Sequence, residues 1–429
     1  MNADGRGATM GAPMKLPGFR DVEDQVGKLL REQGGMGALV LDFVSLGRVE
    51  RGFGEAAYHA LHAHIEALIA ELRGSVRDGD LVTRDERHAD RYVVFLARRR
   101  DPSLAFNMAD LRRLAERVES QLGPRVARLI LPYLREKSAV DVGYGFLLHN
   151  PVESLDRQVR RLLDDCAASA FLRRRLVERD EREALVEIIY NRKMWTAFQP
   201  IVEMASARPM GYEGLSRGPR GSELETAGAL FGAAARHDEG DELERACRRQ
   251  IFKDWQAFGV PGRLFINTVP ATVRDPSFLG RGVLDYLGSS VSPQMVTLEI
   301  TEKHMIENIN LYREAMHSFL DLGFSFAIDD VGAGYSGLET MANLGASYFK
   351  IDMALVRDVH QKRVSQQVVK AILDMGTGVG AIVIAEGIET AEEAETLQAL
   401  GVRYAQGYFF GRPQDPYASA APQAARTAS

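Results

Sequence analysis

Between Trp195 and Pro413 the sequence repeats one device: a short apolar run that ends on a carboxylate or on an amide of similar shape. The runs FQPIVE, PMGYEGL, RLFINTV, VTLEITE, FSFAIDD, YFKIDMAL, AIVIAEGIE and YAQGYFFG make eight candidate strands. Segments of helical periodicity fall between strands, among them LERACRRQIFKDWQAF, LYREAMHSFLDLG, VSQQVVKAILDMGTG and AEEAETLQALG. That alternation is the pattern of a closed, TIM-like (β/α)8 barrel. The first two runs are joined too tightly for a helix, so a hairpin replaces one crossover. On pattern alone a doubly wound open sheet is also admitted.

What sets this stretch apart is the chemistry at the run ends. Glu213, Asn267, Glu299, Asp329, Asp330 and Glu386 all occupy C-terminal strand ends, and in a barrel such ends converge on one mouth. Clustered carboxylates repel one another. A set of carboxylates plus one amide oxygen, with little histidine or sulfur, suits hard cations such as Mg2+ or Mn2+. The adjacent pair Asp329 and Asp330 lets one carboxylate bridge two ions while its neighbour serves one, an arrangement suited to phosphodiester hydrolysis. A lone Asp-Asp pair would read as a helix cap or a solvated turn; the other aligned groups argue otherwise. Lys350, flanked by apolar residues, is expected to face the same mouth beside the attacking water.

The chain is 429 residues long, which calls for two domains of ordinary size. With 45% hydrophobic and 26% charged residues and no apolar run of about 18 residues, the reading is a soluble protein without membrane insertion. The first sixteen residues lack the apolar stretch of a secretory signal, so a cytoplasmic location is expected. Two distant cysteines, Cys166 and Cys247, suggest neither a disulfide framework nor a thiolate metal site. A net charge of −6 argues mildly against a nucleic acid polymer as partner. A helical stretch is expected after Leu155, where charged and apolar residues interleave at helical spacing. The expected organisation is a flexible N-terminus over 1–16, a smaller α/β domain over 17–164, a helical linker over 165–194, the barrel over 195–413 and a flexible tail over 414–429.

The motifs EGLSR at 213–217, FIN at 265–267, LEITE at 298–302, DDVGAGYSGL at 329–338, FKID at 349–352, AEGIE at 385–389 and QGYFFGRP at 406–413 resemble, in order, the EAL-domain family of c-di-GMP phosphodiesterases. The resemblance implies one metal held by Glu213, Asn267, Glu299 and Asp329, and a second that shares Asp329 and adds Asp330 and Glu386. It implies hydrolysis of c-di-GMP to linear pGpG by a water between the metals, with Lys350 helping to position that water. Glu213, Asp330, Lys350 and Glu386 are the expected catalytic groups. Arg217 resembles an arginine that contacts a substrate phosphate, a role suited to a forked guanidinium. Gln199, Gln406 and Glu389 match positions lining the ligand pocket, and Glu302 a glutamate that braces the loop after the Asp-Asp pair. The resemblance further implies a homodimer through the barrel.

Three positions depart from the family pattern: Gly214 within the signature, and Val331 and Ala333 after Asp330, where Phe and Thr are usual. None removes a metal ligand, but the altered loop implies weak or conditional turnover, and it keeps open a non-catalytic c-di-GMP receptor that signals to a protein partner. The N-terminal region resembles a diverged GGDEF domain. Its hairpin reads His88, Ala89, Asp90, Arg91, Tyr92, without the glycines that approach nucleotide phosphates. Asp42 and Asp90 alone would make a poor metal site, so a regulatory role without cyclase activity is expected. The basic run Arg98 to Arg100 reads as a solvated strand end.

Overall fold

The computed structural model describes residues 16–43, 45–73, 79–96, 108–133, 140–259, 261–269, 272, 275, 278, 282–287, 291–301, 316–332 and 345–417. It falls into two compact units, Met1–Asp180 and Glu181–Ser429.

In the first unit, β1 (Gly35–Asp42), β2 (Leu81–Arg84), β3 (Arg91–Leu96) and β4 (Asp141–Leu148) form an antiparallel sheet in the order β2-β3-β1-β4. Period-two alternation gives it two buried faces. Leu39, Leu41, Tyr92 and Val94 pack on one side with Ile65 of α3 (Glu55–Arg73) and Leu122 and Val126 of α4 (Met108–Ile130). Ala38, Val40, Val93 and Phe95 pack on the other with Val26 and Leu30 of α1 (Phe19–Gln33) and with Leu162 and Cys166 of α5 (Leu155–Asn191). A Cβ at Gly143 would lie 1.9 Å from Cys166 O, so only glycine lets α5 seat this closely on β4. Both cysteines are buried and free. Asp42 at the end of β1 and Asp90 in the hairpin both have protein partners: Arg91 Nε donates to Asp42 Oδ2 at 2.6 Å and Tyr58 Oη to Asp90 Oδ1 at 2.8 Å.

The second unit is a closed eight-stranded barrel of β5 (Trp195–Glu203), β6 (Arg208–Arg217), β7 (Arg263–Asn267), β8 (Val296–Thr301), β9 (Ser325–Val331), β10 (Tyr348–Ile351), β11 (Ile382–Ala385) and β12 (Tyr404–Gln406). Each of the eight expected runs falls on one of these strands, though some runs outlast them: Met353–Val356, where the YFKIDMAL run ends, is helical, and β12 takes only the first three residues of YAQGYFFG. Only β5 runs against its neighbours β6 and β12; the other pairs are parallel. Outward-facing Phe198, Leu264, Ile266, Leu298, Phe326 and Phe349 pack in one continuous core with Phe252 and Trp255 of α7 (Gly240–Phe258) and Val369 and Ile372 of α10 (Arg363–Val379). Each such aromatic or branched side chain contributes about 1.5–3 kcal/mol when fully buried. Inside the barrel, Ile201, Phe265, Ala327, Tyr348 and Ile384 form a separate apolar layer.

The helical stretch expected after Leu155 is one 37-residue helix, α5. The structure differs from expectation at the C-terminal boundary. The tail expected to be flexible from 414 is ordered through 417. Gln414 exchanges two backbone hydrogen bonds of 2.8 Å with Phe198, and Tyr417 Oη donates to buried Asp254 at 2.7 Å. Backbone pairing of this kind is indifferent to the small polar residues that suggested a loose end. Among the described residues no helix is long and apolar enough to cross a membrane.

Candidate active site

The barrel's strand period builds the site. Two residues beyond the interior layer, on the same face, each strand presents a polar group: Phe265 leads to Asn267, Ala327 to Asp329, Tyr348 to Lys350, Ile384 to Glu386 and Tyr404 to Gln406. Gln199 precedes Ile201 by two on the reversed β5 and lies opposite Glu213 of β6. The polar tier therefore rests directly on the apolar one.

At its centre stands Lys350, 1% exposed. Its Nζ lies 2.5 Å from Glu386 Oε1, 2.6 Å from Glu299 Oε1, 3.4 Å from Asp329 Oδ1 and 3.5 Å from Glu213 Oε2. One ammonium has three N–H groups, fewer than the carboxylates around it. Glu299 Oε2 is buried and accepts no hydrogen bond among the described residues. Burial, despite Lys350, drives Glu299 well above the ordinary carboxylate range, with the neighbouring carboxylates adding to the rise. Glu386 is driven up by burial and by Asp329. Burial would also raise Glu213, but Lys350 and the amides of Gln406 and Asn267 outweigh it and hold this glutamate low. Lys350, for its part, is kept charged by its four partners against the cost of burial.

Glu213 is gripped by side-chain amides: Asn267 Nδ2 donates to Oε1 at 2.9 Å and Gln406 Nε2 to Oε2 at 2.7 Å. Gln406 also donates to Gln199 Oε1 at 3.1 Å, and Gln199 Nε2 to Gly411 O at 3.2 Å. Because Asn267 uses its nitrogen on Glu213, its oxygen is the atom suited to a cation.

The Asp329-Asp330 pair faces the mouth by a backbone device. Phe349 pairs with Ile328 and Ile351 with Val331, so β9 carries one residue more than β10 across this step. That is a β-bulge. Asp330 sits in it at φ 58°, a left-handed conformation that aspartate tolerates better than most residues. Without the bulge, consecutive carboxylates would point to opposite faces. With it, oxygens of Asp329, Asp330 and Glu386 lie within 4.8 Å of one another. Asp330 is pushed up to about 6 by burial, then by Asp329 and by Asp352, with which it shares a hydrogen bond. Asp352 is a site neighbour that the sequence reading missed; its signal was the two-residue spacing from Lys350. Gly387, at φ 68°, turns the chain directly after Glu386, where a Cβ would come within 2.5 Å of Met353 Cβ.

The remaining expected residues are placed as follows. Arg217, half-buried at the end of β6, donates from Nη1 to Ser216 O at 2.9 Å. Glu389 is half exposed and ion-paired with Arg357 at 2.9 Å, not with the central cluster. Glu302, Ala333 and the run Arg98 to Arg100 lie outside the described residues. Val331 is 1% exposed and belongs to the barrel core. Gly214 faces away from the mouth: a Cβ there would meet Ile251 Cγ2 at 3.0 Å.

The donor set fits divalent cations. Among the described residues, Glu213, Glu299, Asp329, Asp330 and Glu386 set five carboxylates against the single Lys350 ammonium, and the buried Glu299 Oε2, with no hydrogen bond there, suits a cation.

Residues 182–413, more than half of the chain, match the family model described as EAL domain. Probable cyclic di-GMP phosphodiesterase PdeA of Escherichia coli (strain K12) is 37% identical over 155 residues, covering 35% of this chain and 21% of that protein. Cyclic di-GMP phosphodiesterase PdeB of Shewanella oneidensis is 30% identical over 250 residues, covering 55% of this chain and 28% of that protein. The EAL enzyme Bd1971, solved in a cAMP and cyclic-di-GMP bound form, matches with a TM-score of 0.51 at 24% identity over 65% of this chain and 80% of that one; at that identity the likeness concerns the fold. The chain spans about a fifth to two fifths of the length of the curated relatives it matches.

Proposed function

The chain belongs to the EAL-domain family through residues 182–413, and from that premise we propose that it hydrolyses c-di-GMP to linear pGpG with the support of two Mg2+ or Mn2+ ions. The observation that carries this reading is the convergence of Glu213, Glu299, Asp329 and Glu386 on one lysine, with a buried Glu299 oxygen that accepts no hydrogen bond among the described residues.

Glu213, Asn267, Glu299 and Asp329 would hold one ion, and Asp329, Asp330 and Glu386 the other. When bound, such ions supply the Lewis acidity that lowers the pKa of a water nucleophile and offsets charge developing on the phosphodiester. The chain's own groups do the rest. Gln406 and Asn267 fix the rotamer of Glu213 by hydrogen bonds to each of its oxygens. Lys350 stays protonated and presents N–H groups where the water and the phosphate oxygens meet, orienting the one and drawing charge from the other. Arg217, at the rim, suits a phosphate contact through its guanidinium fork, and Gln199 and Gln406 suit the pocket wall. The apolar tier of Phe265 and Tyr348 closes the floor against bulk water.

Regulation by the first unit as an inactive GGDEF-like domain, bracing of the loop by Glu302 and pairing of two chains through the barrel belong to the same reading; their support is the resemblance. A second reading, a c-di-GMP receptor without turnover, draws on Val331, a smaller core residue directly after Asp330. Incubation of the purified chain with c-di-GMP and Mg2+ or Mn2+, with pGpG followed by chromatography, separates the two. The proposal expects product in the wild type and none in Glu213→Ala. Tight binding of c-di-GMP without product in either metal would overturn it in favour of the receptor.

A further inference from the structure

Glu393 stands on the first turn of α11 (Ala391–Leu400), outside the carboxylate cluster, and is 4% exposed. Its side chain accepts three backbone hydrogen bonds. Oε2 takes Glu389 N–H at 2.9 Å and Thr390 N–H at 3.2 Å, and Oε1 takes Asp358 N–H at 3.0 Å. Burial would raise its pKa, but these N–H groups outweigh it and hold the group below the ordinary carboxylate range. The bonds of Oε2 belong to a capping box, completed by Thr390 Oγ1, which accepts from Glu393 N at 3.3 Å. The bond of Oε1 does not. Asp358 lies beyond α9 (Met353–Val356) in the segment that follows β10, so one carboxylate joins the loop after β10 to the loop after β11.

Two further contacts hold the same loops together. Arg357 pairs with Glu389 at 2.9 Å, and Gly387 passes so near α9 that a Cβ there would lie 2.5 Å from Met353 Cβ. Each loop carries a group that bears on the second cation site: the first bears Asp352, which shares a hydrogen bond with Asp330, and the second begins at Glu386. As like charges, Asp330 and Glu386 repel each other, so the loops need a tie that leaves both for the cation. We propose that Glu393 is a positioning residue for the site of Asp329, Asp330 and Glu386: by fixing the loop after β11 against the loop after β10, it holds Glu386 and the Asp352–Asp330 pair at the spacing one ion needs. The inference deepens the two-ion reading and rests on it. By linkage, an ion that gains from the tie must also strengthen it.

Glu393→Gln isolates the tie, because an amide has one acceptor oxygen. With that oxygen on the cap, the NH2 group faces Asp358 N–H and the link between the loops is broken. The test titrates Mn2+ calorimetrically into the metal-stripped full chain. Asp330→Asn, assigned to one ion only, marks the step that belongs to the second site. In Glu393→Gln that step is expected to weaken about ten- to a hundredfold, the usual effect of losing an outer partner of a metal ligand. The other step is expected to stay as in the wild type, which also shows that the barrel is folded. Glu392→Gln removes the same charge from an exposed position beside it and is expected to bind both ions normally. Amide exchange tests the wild type itself: Mn2+ is expected to slow exchange at Asp358 N–H. Both steps unchanged or weakened alike in Glu393→Gln, an equal loss in Glu392→Gln, or exchange at Asp358 indifferent to Mn2+ would each overturn the inference and leave the two-ion reading standing. A wild type that takes up fewer than two ions would overturn that reading and the inference with it.

Discussion

Lys350 offers three N–H groups to four carboxylates, and that shortfall decides how the centre responds to change. Lys350→Met keeps the volume and removes the only cation the described residues supply to the cluster. Stripped of divalent metal, this variant is expected to lose about 3–5 kcal/mol, the usual consequence of orphaning a buried charge partner. Added Mn2+ should then raise its melting temperature more than it raises that of the wild type. Thermal unfolding of both proteins with EDTA and with Mn2+ measures this; equal metal responses would show that Lys350 does not balance those carboxylates. Gly214 makes the contrasting case. An added methyl must push Ile251 by a few tenths of an ångström but restricts the unfolded chain, so Gly214→Ala is expected to stay within about 1 kcal/mol of the wild type. Its turnover should be unchanged, since the methyl points away from the mouth; a large drop in kcat would contradict the placement of β6.

Individual elements carry effects that no one residue predicts. On β9 the bulge at Asp329-Asp330 re-aims a carboxylate that regular pleating would send outward. The two aspartates were legible in the sequence as a pair, but the extra residue was not, because a bulge is defined by what the partner strand β10 pairs with. On β4, Asp141 is pushed up to about 6 by burial, which outweighs the pull of Arg174 in the opposite direction. A carboxyl group that binds its proton more tightly folded than unfolded stabilises the fold most below pH about 4, and that contribution declines as pH rises toward 6. Asp141→Asn removes the titration while keeping the shape. Its stability relative to the wild type is therefore expected to improve steadily from pH 4 to pH 6 and then level off, as urea unfolding across that range would record. A constant difference between the two would mean that Asp141 titrates alike in both states. The start of α5 belongs here too: charged and apolar residues interleaved at helical spacing after Leu155 made the helix legible, and the structure carries it unbroken to Asn191.

For the molecule as a whole, the barrel was legible from the alternation of apolar runs with segments of helical periodicity. The polar groups expected at strand ends mark those ends only roughly: Asn267 closes β7 and Glu386 directly follows β11, but β6 runs four residues past Glu213, and β8 and β9 two past Glu299 and Asp329. The central Lys350 was legible from its apolar flanks, but not its contact with all four carboxylates, which depends on barrel closure. The ion pair of Glu389 with Arg357 was not legible, because it joins residues distant in sequence that share no motif. Gln414 and Tyr417 were invisible because a backbone bridge and a single hydroxyl contact leave no periodic trace. The central claim, that this ring of carboxylates is a site for two divalent cations, is tested most directly by titrating Mn2+ into metal-stripped chain and counting bound ions by calorimetry. The account predicts two ions per chain in the wild type and a loss of binding at both sites in Asp329→Asn, the residue assigned to each. A wild type that binds no Mn2+ yet cleaves c-di-GMP, or an Asp329→Asn chain that still binds two ions, would contradict it.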